Sequence, residues 1–558
     1  MAMRVLLVNL TRFGDLLQSQ GGIMALAGAG KSPDGHAFPG HEVALVCLDN
    51  FAPAAVLLQG LTAVFPLLGS HLIKCIQTTG QAGAGWPEGL GALFLWREAL
   101  WQQFAPDVVV NCTPALSARL LSHFLAKGRV VHGFAVDDNG YGVNHGHWAS
   151  LLQGAKGMRG ASPFNVADVF RAILRDAVDE ETGRTGRKNE LLPGTLAQPD
   201  FNNLESMRKR LESLLPPEAG EGVQGYVALQ LGASEKRRQW PVASFAAIGQ
   251  RCWQTFALCP VLLGAKTEEE LALAYGASTD SPFISLCGQT DLPELASALC
   301  NCKLLLTNDT GTMHLAAGLG VPVFAIFLAT AQPFDTGPCL PGSYSFEPDM
   351  DCHPCAFGTA CPHDTACRQA ISPEAVWPFV ARQLAGSSSV VAPEARGARV
   401  WRTVCHSGGT LSMESCSGHG STDRAVWLAA QQDFLLAFLD GHGSVPLGPI
   451  ALSARGAQEA KADIATVSGY MTILEKQGEV LGVRPLPAMR AKFLQSWSRV
   501  TEAISTSRWV AALGPLWVDD TQKEGQDIAQ TLAIISQYRK LLGKISEALE
   551  TPHQCRNE

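Results

Sequence analysis

The segment LLLTNDTGTMHLAAGLGVPVFAIF, residues 304–327, places a cluster of polar residues between two apolar runs. The runs are typical of strands buried on both faces of a parallel sheet, and residues 313–317 predict a helix between them. The polar turn would then lie at the carboxyl end of a strand, where open α/β sheets bind ligands. Its glycine permits close approach, and the helix N-terminus favours an anion. The pattern indicates one of two features: a phosphate site, at which Gly311 and the hydroxyls of Thr310 and Thr312 would meet the ligand, or a helix capped by Asn308, Asp309 and Thr310.

A second polar turn, GASEKRRQWP at residues 232–241, also follows an apolar run. Small residues precede Ser234, Lys236 and Arg238. Such a turn could bind a diphosphate through backbone N–H groups, the serine hydroxyl and the guanidinium group. The alternative is a solvated basic loop. Two turns of this kind in one α/β domain favour the phosphate site.

Buried strands must position these turns, and their order predicts two doubly wound α/β halves with a cleft between them. Neither half contains a G-x-G-x-x-G or a Walker A sequence, which argues against a dehydrogenase or a kinase. We expect an N-terminal Rossmann-like domain at 1–215 and a second one at 220–386. After a linker at 387–397, residues 398–558 are expected to form a mainly α-helical extension of unknown role.

Composition limits the classes of function. The 558 residues are 46% hydrophobic and 17% charged, as in a folded globular protein, and the formal charge is −8. An acidic balance without a long basic run argues against a nucleic-acid partner. The N-terminal apolar stretch is too short for a signal peptide, and no run reaches the length of a membrane helix. A cytoplasmic location is therefore expected.

Sixteen cysteines are scattered over the chain, a pattern of reduced thiols rather than of a disulfide framework. A group with the spacing C-x2-C-x5-C-x5-C could hold zinc as thiolates. Because this is not the usual paired spacing, packed free thiols are favoured and structural zinc is the alternative. The group comprises Cys352, Cys355, Cys361 and Cys367.

Four segments together resemble glycosyltransferase family 9, the ADP-heptose:lipopolysaccharide heptosyltransferases. They are NLTRFGDLL, GASEKRRQWP, TNDTGTMHLAAGLGVPV and CHPCAFGTACPHDTAC, in the family's order and at similar spacing. The resemblance covers about residues 1–386, and the D-[ST]-G-x-x-H-L-A element is its most specific part. It implies a GT-B fold and inverting transfer without a metal ion. It also implies a nucleotide-sugar donor, ADP-heptose, held by the C-terminal half.

The resemblance assigns roles to individual positions. Asp15 matches the general base, and Glu268 or Glu269 matches an acid that contacts the nucleotide ribose. Arg238 stands where the family has lysine, and Thr312 where it usually has proline. The implied donor-binding residues are Thr11, Arg12, Ser234, Lys236, Arg238, Glu268, Asp309, Thr310, Gly311 and His314.

The expected function is transfer of heptose, or a related sugar, from an ADP-sugar to a lipopolysaccharide core or another saccharide acceptor. This chemistry needs a base at the acceptor hydroxyl and positive charge at the departing diphosphate, with no further cofactor. The expected partners are the nucleotide sugar and a saccharide or glycolipid acceptor, and the resemblance allows peripheral contact with the inner membrane through that acceptor. The alternatives are a sugar-nucleotide epimerase of GT-B-like shape and a non-catalytic glycan-binding scaffold.

Overall fold

The computed structural model describes residues 2–28, 30–31, 37–38, 40–77, 85–155, 162–183, 195–386, 395–406, 409–440, 447–523 and 525–550. These residues form two compact units. The first unit contains residues 1–146 and 165–417, and the second contains residues 147–164 and 418–558. Most of the predicted linker, residues 387–394, lies outside the described residues.

The first half of the first unit is built on a mainly parallel sheet. Its strands are β1 (Arg4–Val8), β4 (Glu42–Leu48), β5 (Leu61–Leu67), β6 (Val108–Asn111), β7 (Val131–Val136) and β8 (Gly142–His145), and a separate hairpin is formed by β2 (Gly30–Lys31) and β3 (Ala37–Phe38). The strand order is β5-β4-β1-β6-β7-β8, and β8 is antiparallel to β7. The central strands are buried because their apolar runs are covered on both faces.

The second half has its own sheet, in which strands from β9 to β14 are parallel. Its strands are β9 (Gly225–Gln230), β10 (Leu258–Leu263), β11 (Ile284–Ser285), β12 (Cys302–Asn308), β13 (Val323–Ile326), β14 (Tyr344–Pro348), β15 (Ala398–Cys405) and β16 (Leu411–Ser415). The order is β11-β10-β9-β12-β13-β14-β15-β16. The turns after β9 and β12 are therefore neighbours at one edge of the sheet.

Helices flank both sheets. In the first part of the chain they are α1 (Phe13–Gln18), α2 (Gln20–Ala27), α3 (Gly69–Gln77), α4 (Trp86–Gln103), α5 (Leu116–Ala126), α7 (Val166–Thr182) and α8 (Phe201–Ser213), whereas α6 (His147–Ala155) belongs to the second unit. In the second half they are α9 (Val242–Phe256), α10 (Glu269–Gly276), α11 (Leu292–Cys300), α12 (Gly311–Gly318), α13 (Pro333–Thr336), α14 (Cys367–Ala370) and α15 (Pro373–Leu384).

The second unit is helical. It contains α6, α16 (Asp423–Leu439), α17 (Ala454–Val483), α18 (Pro487–Thr506), α19 (Gly514–Thr521) and α20 (Ile528–Glu550). Within it, Asp520 is buried and accepts hydrogen bonds from His147 at 2.9 Å and from Tyr538 at 2.8 Å. Among the described residues, no helix is both long enough and apolar enough to cross a bilayer.

The expectation of two doubly wound halves followed by a mainly helical region is confirmed. The structure differs at the boundary placed at 398, because β15 and β16 pair antiparallel to the second sheet. Trp401 Nε1 donates to the buried carboxylate of Glu347 on β14 at 2.8 Å, which ties this hairpin to the sheet. The segment 147–164, predicted within the first domain, belongs to the helical unit.

Candidate active site

The loop between β1 and α1, which leads to Asp15, is held by two buried polar side chains. Asn9 Oδ1 accepts from the backbone N–H of Thr11 at 3.2 Å and from the Thr11 hydroxyl, while its Nδ2 donates to the carbonyl oxygen of Asp15 at 3.4 Å. Thr113, after β6, accepts from the backbone N–H of Leu10 at 2.8 Å. The loop is therefore fixed from two neighbouring strand ends of the first sheet.

Asp15 lies in the first turn of α1 and is partly exposed. The exposed residue Arg12 takes the N-cap position in an extended conformation, with φ −76° and ψ 166°. Asp15 is therefore inside the helix rather than its cap.

The first candidate donor turn follows β9 and leads into a short 3₁₀ helix, Lys236–Arg238. Arg238 Nη1 donates to the hydroxyl of Ser234 at 3.2 Å, whereas Lys236 is exposed. The adjacent Arg237 points elsewhere, since it pairs with Glu235 at 2.7 Å and donates to the Thr359 carbonyl at 3.1 Å. The three cations of this turn thus have different environments.

The second candidate donor turn follows β12 and leads into α12. Asn308, the buried last residue of β12, donates through Nδ2 to the carbonyl oxygens of Leu231 at 2.9 Å and Gly232 at 3.1 Å. Its Oδ1 accepts from the backbone N–H of Trp240 at 2.9 Å. Because both its amide nitrogen and its oxygen are hydrogen-bonded to the first turn, the Asn308 side chain holds that turn against the second. Thr310 occupies the N-cap position of α12.

Arg238 and Asp309 form an ion pair that joins the two turns directly. Their side chains are only 14% and 11% exposed, so the pair is largely desolvated. A bound diphosphate would compete with the Asp309 carboxylate for the guanidinium group, because both are anions that accept its N–H donors. The structure thus brings together Ser234, Arg238 and Asp309 from the predicted site.

Of the two acids predicted to contact the ribose, Glu268 is the one that lies against the first turn. A Cβ on Gly232 would lie 1.2 Å from Glu268 Oε1, whereas Glu269 Oε1 lies near Gly288. Glu268 Oε2 accepts from the backbone N–H of Ala265 at 2.8 Å. Position 232 must therefore be glycine for the Glu268 carboxylate to lie against the turn.

Helices α1 and α12 pack closely, which brings the first turn of α1, with Asp15, to the second donor turn. A Cβ on Gly14 would be 2.8 Å from His314 Cδ2, and one on Gly311 would be 2.5 Å from Phe13 Cδ1. The Nε2 atoms of Gln18 and His314 are 2.9 Å apart and hydrogen-bonded. The structure therefore places the His314 ring against α1, where burial lowers its pKa to about 4. The ring is neutral near pH 7.

The four clustered cysteines carry free thiols and differ in exposure, from the exposed Cys352 to the buried Cys367. The backbone N–H of Thr365 donates to Cys361 Sγ at 3.3 Å. Within the described ranges, no three His, Cys, Asp or Glu side chains form a group that could hold a metal ion. Packed free thiols and structural zinc both stay predictions for this group.

Several residues of the site were not singled out by the sequence analysis. Asn9 and Gln230 are buried polar side chains at or just past the end of apolar strands, and that position is the signal that could have identified them. Gln18 offered no such signal, because it lies inside a helix and its partner is 296 positions away. Together, the site offers a carboxylate on one half and a cation with helix N–H groups on the other, which suits transfer of a group bound to a diphosphate.

Comparisons with known proteins agree with this chemistry. Residues 158–359 match the model of "Glycosyltransferase family 9 (heptosyltransferase)", a range that includes both donor turns and Glu268 but not Asp15. Lipooligosaccharide heptosyltransferase 2 of Haemophilus ducreyi is 31% identical over 90 residues, which are 15% of this chain and 25% of that protein. Lipopolysaccharide heptosyltransferase 2 of Escherichia coli K12 is 24% identical over 134 residues, which are 21% of this chain and 38% of that protein.

The matches to curated relatives are partial: the chain spans 25% and 38% of the length of these two proteins. Among solved structures, that of the E. coli ADP-heptose lipopolysaccharide heptosyltransferase II is similar with a TM-score of 0.46 and 16% identity. The similarity covers 69% of this chain and 99% of that chain.

Proposed function

Because the chain belongs to glycosyltransferase family 9, we propose that it is an inverting glycosyltransferase that needs no metal ion. Its donor is ADP-heptose or a related ADP-sugar, and its acceptor is a lipopolysaccharide core or another saccharide. The observation that carries the proposal is the Arg238–Asp309 pair, which joins two polar turns at the carboxyl ends of β9 and β12. The second of these turns lies next to the helix that bears Asp15.

In this proposal Asp15 removes the proton from the acceptor hydroxyl as its oxygen bonds to the anomeric carbon. The bond from that carbon to the diphosphate breaks, and its electron pair leaves with the diphosphate oxygen. Arg238, Lys236 and the first N–H groups of α12 stabilise the charge that grows on this oxygen. Attack from the face opposite the leaving group inverts the anomeric configuration.

Donor binding is assigned to the second half of the first unit. Ser234, Arg238 and the turn of Asp309, Thr310 and Gly311 face the diphosphate, and Glu268 faces the ribose. Thr11 and Arg12 approach the phosphates from the loop of the first half. His314 follows in the same turn as a further donor-binding residue, and its ring also contacts Gln18 on α1.

We also propose that the protein works in the cytoplasm and contacts the inner membrane peripherally through a glycolipid acceptor. Cell fractionation of the native source, with and without the lipid acceptor, measures this distribution. Recovery with the outer membrane would contradict it.

The test of the activity is mass spectrometry of purified protein incubated with ADP-heptose, a panel of other nucleotide sugars and core oligosaccharide, in the presence of EDTA. We expect release of ADP together with an acceptor that gains one sugar. An epimerised nucleotide sugar formed without acceptor would instead indicate a sugar-nucleotide epimerase. Loss of transfer in EDTA that manganese or magnesium restores would overturn the metal-independent mechanism.

A further inference from the structure

Glu268 is held by two donors on one of its carboxylate oxygens. Besides the N–H of Ala265, Oε2 accepts from Gln230 Nε2 at 3.1 Å. Within the described part of the chain no group donates to the other oxygen, Oε1, which lies against the backbone of Gly232. One oxygen is therefore immobilised, and the other faces the first donor turn.

Gln230 is itself held in place by a third side chain. This last residue of β9 is 5% exposed, and its Oε1 accepts from the hydroxyl of Thr312 at 3.2 Å. The carboxylate decides the orientation of the amide, because the flipped amide would turn its oxygen toward Glu268. The Thr312 hydroxyl can donate or accept, so it is compatible with either orientation of the amide. The hydrogen bonds therefore run in one direction, from Thr312 to Gln230 and from Gln230 to Glu268.

The arrangement depends on residue types of this chain. At position 312 the resemblance expects proline, which has no hydroxyl, whereas this chain has a threonine that donates to Gln230. Thr312 lies in the first turn of α12, and Glu268 follows β10. The three side chains therefore connect both donor turns to the segment after β10.

We propose that Gln230 and Thr312 are positioning residues that orient Glu268 toward the ribose hydroxyls of a nucleoside diphosphate. The inference rests on the proposed function for the presence of that ligand. A carboxylate oxygen accepts from hydroxyl donors, and its bonds gain strength and direction when the carboxylate cannot rotate. Gln230 thereby contributes to the preference for ribonucleotides over nucleotides that lack these hydroxyls.

The test is calorimetric titration of the full-length protein with ADP and with 2′,3′-dideoxy-ADP. The parent should bind ADP more tightly, by about 10-fold or more, which is the worth of a hydrogen bond to a charged group. Gln230→Leu should weaken ADP binding by a similar factor of about 10 and leave dideoxy-ADP binding nearly unchanged. The second ligand has no ribose hydroxyls for Glu268 to bind.

Matched variants separate positioning from general damage. Thr312→Val should shift the ADP affinity in the same direction as Gln230→Leu, and Thr312→Ser, which keeps the hydroxyl, should restore it. Gln102→Leu, at an exposed glutamine of α4 in the first half of the first unit, should bind both ligands as the parent does. The ratio of the two affinities within each variant corrects for any loss of folded protein.

Equal weakening of both ligands by Gln230→Leu would overturn the inference and leave the proposed function intact. An unchanged ratio in Thr312→Val would remove Thr312 from the arrangement and overturn the inference in the form stated. If the parent bound neither ADP nor any other ribonucleoside diphosphate, the proposed function would fail, and this inference with it.

Discussion

Asp15 and Arg238 are the residues on which the proposed chemistry depends most directly. They lie on different halves of the first unit, one in the first turn of α1 and the other in the turn after β9. One is assigned to the acceptor hydroxyl and the other to the donor diphosphate. Substituting them should therefore affect turnover and donor binding to different extents.

Asp15→Asn keeps the size of the side chain and removes its ability to accept a proton. We expect kcat to fall by about 10²–10⁴-fold, the usual worth of general base catalysis. Donor affinity should barely change. Steady-state transfer rates with donor binding measured in parallel provide the check, and Glu374→Gln, an acid in the first turn of α15, is the control for helix effects.

The competing interpretation is that Asp15 only caps α1. In that case Asn would serve about as well as Asp. The structure gives the N-cap position to Arg12, which already disfavours this interpretation. Near-parental turnover of Asp15→Asn would remove the proposed base.

Arg238→Ala should weaken ADP binding and slow transfer together, because the cation meets charge that is present in the ground state and grows as the diphosphate leaves. We expect a loss of about 10–100-fold in affinity, as for a charge-assisted hydrogen bond. Arg237→Ala is the matched control, since Arg237 pairs with Glu235 and should leave ADP affinity unchanged. Arg238→Lys should retain much of the activity.

The ion pair adds a second test of the Arg238 assignment. Without the guanidinium group, the largely buried Asp309 carboxylate would repel the diphosphate. Asp309→Asn in the Arg238→Ala background should therefore recover part of the ADP affinity. An Arg238→Ala variant that binds ADP as the parent does would contradict the diphosphate assignment.

Helices α1 and α12 are the elements that connect the two halves at the site. Gly14 and Gly311 permit their close approach, and the bond between Gln18 and His314 fixes their relative position. The neutral His314 ring is buried in this contact, where burial lowers its pKa to about 4. Acidification should therefore weaken the contact.

The sign of this effect follows from proton binding by the unfolded chain. Between about pH 6.5, the usual pKa of histidine, and about pH 4, the unfolded chain binds a proton that the folded protein excludes, so stability falls as the pH falls. The contribution of the neutral His314 ring to the free energy of unfolding is fully present above pH 6.5. It amounts to about 3 kcal/mol over this window, at about 1.4 kcal/mol per pKa unit.

Urea unfolding at pH 7 and pH 4.5 measures the contribution of His314 to the pH dependence of stability. The parent should lose more stability on acidification than His314→Gln, which has no titrating ring, and the difference should approach about 3 kcal/mol. His123→Gln, at an exposed position of α5, should follow the parent. Equal pH dependence of parent and His314→Gln would contradict the assignment of a neutral buried ring.

At the scale of the whole molecule, the helical unit is not a simple C-terminal addition. It includes residues 147–164, and the hairpin of β15 and β16 belongs to the first unit instead. A truncation near Gly386 would remove this hairpin, expose the edge of β14 and deprive Glu347 of the Trp401 N–H. A chain that ends at Ser417 keeps the hairpin, the covered edge of β14 and the hydrogen bond from Trp401 to Glu347.

We therefore expect the chain ending at Ser417 to have a higher thermal midpoint than the chain ending at Gly386, and to bind ADP as the parent does. Both truncations leave residues 147–164 without the rest of their unit, so this defect cancels in the comparison. Differential scanning calorimetry with ADP titration is the measurement. Equal stability of the two truncations would show that the hairpin is dispensable, and a folded Ser417 chain without ADP binding would contradict a donor site confined to the first unit.

Local pattern sufficed for much of the fold. The two apolar runs that flank the polar turn of residues 304–327 were predicted to be strands, and they lie in β12 and β13. Apolar runs bounded by polar residues identify buried parallel strands without a partner sequence. The hairpin at 398–415 was missed, because its strands mix exposed and buried residues at the edge of the sheet. Its partner β14 lies some fifty residues earlier in the chain.

The sequence by itself determined that polar turns follow β9 and β12 and that an acid follows β1, because residue type and position after an apolar run are local properties. Only the tertiary structure decided that Arg238 pairs with Asp309, 71 positions away. It alone also decided that Gln230 connects Glu268 to Thr312, which lies 82 positions after Gln230. It also decided that His314 turns toward α1. Such contacts depend on the strand order of the sheets and on the packing of two halves, which no local periodicity encodes.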